Sequence, residues 1–158
     1  MRSELDTIRD LYLYNSKTRK KYLNAIWRLP VKERYRSRGA SFPSIVDIFL
    51  HVLDAYRWWF LSVYAKDSTW HEYPIGLKLS RAQAISEERK TDRLVLGVVR
   101  RLRTSDLSRT ISIPGRRGRI MLRVLLLHMA EEELQHRGEM NALLWQMDID
   151  PPVTGFGY

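Results

Sequence analysis

Three residues with metal-binding side chains recur at helical spacing near the C-terminal end of the chain. His128, Glu132 and His136 follow one another at four-residue intervals in the segment 121–147, MLRVLLLHMAEEELQHRGEMNALLWQM. Residues four apart lie one turn apart on the same face of a helix, which is the spacing used by helical metal sites. The same face begins at Met121 and ends at Leu143, so we expect its polar middle to lie inside the protein. Because a buried carboxylate is costly unless it is paired or bound to a metal, the pattern indicates a metal site.

Helix geometry limits where one ion could lie. His128 and His136 are separated by about 12 Å along a helix axis, which is too far for both to bind the same ion. The ion would therefore lie at either the His128–Glu132 pair or the Glu132–His136 pair, and each pair needs a third ligand from another helix. His51 is the candidate, because it lies in a largely apolar helical stretch. The remaining histidine, His71, falls in the loop-like sequence TWHEY and is expected to be exposed.

The type of site follows from the ligand set. Three protein ligands leave coordination positions open, as in catalytic rather than structural sites, and two imidazoles with one carboxylate suit zinc, nickel, iron(II) or manganese. Two simpler interpretations compete with this one. A single histidine inside a helix is commonly a hydrogen-bonded core residue, and the EEEL run at 131–134 could be a solvated face.

Hydrophobic periodicity predicts four long helices to position these residues, over 3–29, 44–64, 80–103 and 119–147. Ser44 and Asp47 form the pattern of a helix-capping box, and Pro30 ends the first helix. We expect loops over 31–42 and 65–78, and an extended connection or a short hairpin over 110–118. The C-terminal VTGFGY is expected to be loose or docked by Phe156 and Tyr158. Together these elements predict an all-α antiparallel four-helix bundle, a single domain over residues 1–158.

Composition excludes some functions and adds one alternative. The chain has no cysteine, which rules out disulfides and thiolate ligands. Its charged N-terminus and short apolar runs predict neither a secretion signal nor a membrane span, so we expect a cytoplasmic protein. The net charge of +9 and the arginine clusters at 34–38, 100–103 and 116–119 make binding of nucleic acid or another polyanion the alternative function. A solvated basic surface is the simpler explanation of that charge.

Three stretches resemble helices of the DinB family. SIVDIFLHVLDAYRWWF resembles its second helix, with a ligand histidine before an aromatic RWW element. LLLHMAEEELQHRGEMNALLWQMDIDPP resembles its last helix, which carries the motif His-x3-His-Arg-Gly-Gln. LYLYNSKTRKKYLNAIWRLP resembles its first helix. The resemblance covers most of the chain and implies a DinB-like four-helix bundle with one ligand from the second helix and two from the last.

Carried over position by position, the resemblance assigns the metal to His51, Glu132 and His136. Glu132 stands where the family pattern has histidine, and Glu139 stands where it has glutamine, so the site is more acidic than the pattern. For this ligand set we expect a nickel or zinc ion, with iron or manganese as alternatives. The resemblance implies a metal-dependent transferase or hydrolase that acts on a small-molecule substrate, through thiol transfer or hydrolysis. His128 and Glu139 are the candidates for moving protons, and a homodimer is one expected assembly. A bundle whose metal only stabilises it is the non-catalytic alternative.

Overall fold

The computed structural model describes residues 2–155, and most of them are helical. The main elements are five α-helices and two short strands, numbered in chain order: α1 Glu4–Arg28, α2 Val31–Arg34, α3 Ile45–Arg57, α4 Arg81–Arg101, β1 Thr110–Ser112, β2 Arg119–Met121 and α5 Leu122–Trp145. The π-helical segment Trp58–Ala65 continues α3, and a 3-10 turn, Thr104–Ser108, follows α4.

Side-chain caps explain where three of the four long helices begin. In each capping box the serine hydroxyl accepts a hydrogen bond from the backbone N–H three residues on, and that residue's side chain accepts one from the serine N–H. The boxes are Ser3 with Asp6 at α1, Ser44 with Asp47 at α3, and Ser80 with Gln83 at α4. These bonds satisfy N–H groups that have no partner inside the helix, and the box predicted at Ser44 is confirmed.

Several predicted boundaries were wrong in detail. The expected loop after Pro30 contains the one-turn helix α2, because proline favours the first turn of a helix. The second helix is not α-helical throughout, since the backbone changes to π-helix at Trp58. The fourth long helix begins at Leu122 rather than Arg119, because Arg119–Met121 pairs with Thr110–Ser112 in an antiparallel hairpin. Gly115 and Gly118 have positive φ in the connecting turn, a conformation that favours glycine.

The four long helical segments pack as a bundle in which α1 contacts α4 and α5, and α3 also contacts α4 and α5. Two apolar clusters fill the interior, one around Tyr12, Tyr56 and Leu125 and the other around Tyr22 and Phe49. Periodicity predicts a core face on α1 that includes either Leu11 or Tyr12; Tyr12 is buried and Leu11 is half-buried. The prediction of a mainly helical four-helix bundle is confirmed, with the small hairpin as an addition.

A buried network of charges crosses the interior between α1, α4 and α5. Arg19 of α1 bonds to Asp92 of α4 at 2.5 Å and to Glu133 of α5 at 2.7 Å. Arg137 of α5 approaches Glu133 at 3.4 Å and donates to the side chain of Asn15. All five side chains are buried. Because the cations and carboxylates face one another, this network fixes how α1, α4 and α5 are rotated relative to each other.

Two further predictions concern the C-terminal segment and membrane-spanning helices. Phe156 and Tyr158 lie outside the described residues. Just before them, the backbone carbonyls of Val153 and Thr154 accept hydrogen bonds from Lys21 and Tyr14 of α1. No helix in the part of the chain that the structure describes combines the length and apolar character needed to cross a bilayer.

Candidate metal centre

Helices α3 and α5 bring His51, Glu132 and His136 to a common point. One nitrogen or oxygen atom from each side chain lies within 4.8 Å of the others. Nε2 of His51 is 3.5 Å from Oε1 of Glu132, and the two imidazole ring centroids are 4.8 Å apart. Of the two positions left open by helix spacing, the structure therefore favours the Glu132–His136 pair with His51. Among residues 2–155 this is the one such group of three potential ligands.

Local packing holds His51 in place. The capping box begins α3 two turns before it, and Oδ1 of Asp47 also accepts a hydrogen bond of 2.7 Å from the N–H of Gly76, which ties the following loop to the same helix. Phe42 stacks on the His51 ring with centroids 4.2 Å apart and planes 28° apart. An aromatic face against the imidazole restricts its rotation, so the nitrogen directed at Glu132 is positioned before any ligand binds.

His136 is the most buried member of the group. Its side chain is 9% exposed, and Nδ1 lies 3.5 Å from Oε2 of Glu139. No hydrogen bond of normal geometry reaches this buried nitrogen from the described residues. Oε2 of Glu139 also accepts a hydrogen bond from the hydroxyl of Ser41. Glu139 therefore lies on the Nδ1 side of the His136 ring.

The surrounding imidazoles keep Glu132 ionised. The His51 ring lowers the pKa of Glu132 most, and the charges of His128, His51 and His136 act in the same direction; together they outweigh burial, which raises it. A carboxylate with a lowered pKa stays negative at neutral pH. That is the form a cation needs in order to bind.

His128 lies at the rim of the site and not inside the bundle. Its side chain is 44% exposed, so the expectation that the middle of this helix face is uniformly buried was wrong. Nε2 of His128 is nevertheless 3.3 Å from Oε2 of Glu132, and its ring packs edge-on against Trp59. The two oxygens of Glu132 thus face different histidines, His51 and His128. His71 is exposed in the loop, as predicted.

The three side chains open into a pocket of about 490 Å³. Its walls include residues that sequence reasoning did not single out: Asp54, Trp58, Trp59, Trp70 and Glu72. Asp54 had a signal, because it lies three residues after His51 and so shares its face of the helix. The two adjacent tryptophans were visible in the RWW element, but the change to π-helix that carries them was not. Trp70 and Glu72 come from a loop without periodicity.

Comparison with known proteins agrees with this architecture. The sequence model of the DinB family matches residues 1–157. The structure is similar to the crystal structure of a DinB-like protein from Bacillus cereus ATCC 10987, with a TM-score of 0.72 and 16% sequence identity, covering 91% of this chain and 93% of that one. At that identity the likeness concerns the fold alone. No curated protein matches the chain.

Proposed function

We propose that this chain, which belongs to the DinB family, binds one divalent transition-metal ion through His51, Glu132 and His136 and uses it to act on a small molecule. The observation that carries the proposal is the convergence of these three side chains, from two helices, to within 4.8 Å. Thiol transfer and hydrolysis are the two reaction types that we propose, and nickel or zinc is the proposed ion.

The residues fit such an ion. Two imidazoles and a carboxylate form a mixed nitrogen and oxygen set, which suits zinc, nickel, iron(II) or manganese. The buried Nδ1 of His136 has no hydrogen bond from residues 2–155, which is costly for a polar atom. An ion on the other ring nitrogen would favour the tautomer whose Nδ1 is protonated and directed at Glu139. Metal-binding histidines usually have a carboxylate or carbonyl partner of this kind.

The remaining residues have separate proposed tasks. When bound, the ion would act as a Lewis acid that promotes ionisation of a thiol or water group. His128 lines the pocket and is partly exposed, so it can hold or release a proton at the pocket surface. Glu139 does not line the pocket and contacts Nδ1 of His136 instead, so we assign it the task of orienting that imidazole.

Metal analysis of purified, untagged protein tests the proposal. We expect close to one equivalent of a divalent transition metal per chain, and loss of that metal in both His51→Ala and His136→Ala. His71→Ala is the matched control, because it removes an exposed loop histidine, and it should keep the wild-type metal content. Folded wild-type protein that takes up no added nickel, zinc, iron(II) or manganese after chelator treatment would overturn the proposal.

A further inference from the structure

The pocket beside the metal centre is acidic although the chain as a whole carries a net charge of +9. Four carboxylates and a single guanidinium line it: Asp54, Glu72, Glu131, Glu132 and Arg116. The lining groups therefore carry three net negative charges with neutral histidines. A divalent ion on Glu132 would still leave the pocket negative. A negative potential in a cleft attracts cations and repels anions.

Three of these carboxylates have no cationic side chain of lysine or arginine as a partner within the described residues. Asp54 and Glu72 make no ion pair, and Glu131 lies 3.8 Å from His128 alone. Asp54 is 4% exposed. Its Oδ2 accepts a hydrogen bond of 2.7 Å from the N–H of Tyr73, whereas its Oδ1 is buried without one. The Trp70 indole N–H makes no hydrogen bond of normal geometry within the described residues, but it lies close enough to the Asp54 carboxyl group to lower its pKa.

The buried position of Asp54 raises the pKa of its carboxyl group. Burial raises the pKa of Asp54 to about 6, against the Tyr73 N–H and the charge of Arg57, which lower it. The nearby Arg57 guanidinium itself pairs with Glu87 at 3.3 Å. Two other buried acids, Asp92 and Glu133, are paired with arginine, whereas buried Asp47 accepts hydrogen bonds from the Ser44 hydroxyl and the N–H of Gly76. Of these buried acids, Asp54 is the one that lines the pocket.

Aromatic side chains make up much of the remaining wall. Trp58 and Trp59 form a corner, with ring centroids 4.6 Å apart and planes at 71°, and Trp70 adds a third indole. A cation above an indole face is attracted by the negative charge of the ring surface, most strongly for tryptophan. Indoles together with unpaired carboxylates form the combination that recognises organic cations.

We propose that the small molecule bound in this pocket carries an ammonium group, which lies against the indoles of Trp58 and Trp59 within the field of Asp54, Glu72 and Glu131. This inference rests on the proposed function only in taking the same pocket as the substrate site. The ammonium group occupies the aromatic part of the pocket, and the reacting part of the molecule extends toward Glu132. Anionic molecules are disfavoured, because Arg116 is the one cationic side chain among the lining residues.

Isothermal titration of zinc-loaded protein with three matched probes tests the proposal. Choline carries a quaternary ammonium that cannot coordinate a metal, 3,3-dimethylbutan-1-ol is its neutral isostere, and 3,3-dimethylbutanoate is the anionic analogue. We expect choline to bind about two- to thirtyfold more tightly than the alcohol, because the attraction of a cation to the indole faces is absent for the neutral probe. The carboxylate should bind more weakly than choline.

Variants of single pocket residues test which side chains cause the preference for choline. Asp54→Asn and, independently, Trp58→Leu should each weaken choline binding about three- to tenfold relative to the alcohol. Glu4→Gln, which removes a carboxylate that does not line the pocket, should leave the preference unchanged. The proposal would be overturned if the neutral or the anionic probe bound as tightly as choline or more tightly, or if choline binding were undetectable. It would also be overturned if both pocket variants kept the full preference for choline.

The same titration on chelator-treated protein separates this inference from the proposed function. Without the ion the pocket is more negative, so the preference for choline should persist or increase. If metal analysis shows no bound metal but choline is still preferred, the metal-dependent function fails and the cation pocket stands. If metal binds normally but choline is not preferred, the cation pocket fails and the metal centre stands.

Discussion

Glu131, Glu132 and Glu133 are consecutive residues in three different environments. Their side chains are 66%, 22% and 2% exposed, because each residue of an α-helix is rotated by about 100° from the one before. Glu131 is at the pocket rim, Glu132 faces the two histidines, and Glu133 pairs with the buried arginines. Three consecutive glutamates thus lie at the pocket rim, in the candidate metal centre and in the buried ion-pair network.

Glu132→Gln should lower metal affinity by more than about 100-fold, since even partners of metal ligands contribute about 10–100-fold. The isosteric Glu131→Gln should change it by less than about fivefold, because Glu131 belongs to the rim and not to the group of three. Competition titrations with a chromophoric chelator measure both affinities. Equal losses in the two variants would show that general negative charge, and not direct coordination, holds the ion.

Sequence spacing predicts the ligand residues but not their surroundings. His51, Glu132 and His136 follow from helical periodicity and the family resemblance, and the structure brings them together. The exposure of His128 could not be predicted, because it depends on where the π-helical segment and the hairpin leave α5 uncovered. Asp54 shares a helix face with His51, but spacing could not predict that Trp70 and Glu72 of the following loop line the same pocket.

At the scale of elements, buried ion pairs hold α5 in its orientation against α1 and α4. Glu133→Gln removes the carboxylate that bridges Arg19 and Arg137 and leaves two buried guanidinium groups with less compensation. We expect a loss of about 3 kcal/mol in unfolding free energy, as for other broken buried pairs. Urea denaturation measures it. The exposed pair gives the control, since Glu4→Gln, which loses a contact of 3.7 Å to Arg123, should cost less than about 1 kcal/mol.

A smaller loss for Glu133→Gln, equal to that of Glu4→Gln, would mean that the buried network does not stabilise the bundle. This network could not be predicted from the sequence. Most other charged residues of the helices that carry Arg19 and Asp92 are exposed or half-buried, and periodicity does not show which charged residues face inward as pairs.

The helix caps make a separate contribution. Ser44→Ala removes the hydroxyl that caps α3 and should cost about 1 kcal/mol of unfolding free energy. Because α3 carries His51, it should also weaken metal binding. Ser80→Ala removes the equivalent cap of α4, which carries no ligand. It should reduce stability similarly and leave metal affinity unchanged. Denaturation and metal titration of both variants test this, and equal metal affinities for the two would contradict it.

At the scale of the whole molecule, stability should depend on pH through Glu88. Burial raises the pKa of Glu88 to about 7, from an ordinary value of 4.5, despite the nearby charge of Arg19. A pKa raised in the folded state means that the protonated form is favoured there. Glu88 therefore makes its full contribution to the unfolding free energy below about pH 4.5, and this contribution is lost as the pH rises through about 7.

Glu88→Gln should therefore be more stable than the wild type at pH 8 by about 1–2 kcal/mol, and close to it at pH 4.5. Thermal unfolding at both pH values measures the difference. If the stabilities of the two proteins change in parallel with pH, the pKa of Glu88 in the folded protein is not raised above its value in the unfolded chain.

The bundle as a whole follows from local signals that agree with one another. The capping box at Ser44, the Pro30 stop and four stretches of helical periodicity all predict four long helices, and the structure has them. It adds equivalent boxes at Ser3 and Ser80. The details that differ arise from tertiary contacts. The strand Arg119–Met121 takes the first turn expected of α5, because pairing with Thr110–Ser112 satisfies its backbone. The π-helix at Trp58 has no signal in the hydrophobic pattern.

The most direct test is a crystal structure of nickel- or zinc-loaded protein with diffraction recorded above and below the absorption edge of the metal. We predict one strong anomalous peak per chain, within about 2.0–2.2 Å of a nitrogen of His51, a nitrogen of His136 and an oxygen of Glu132. A fully occupied metal bound elsewhere, for example at His71, with these three side chains free of it, would contradict the account.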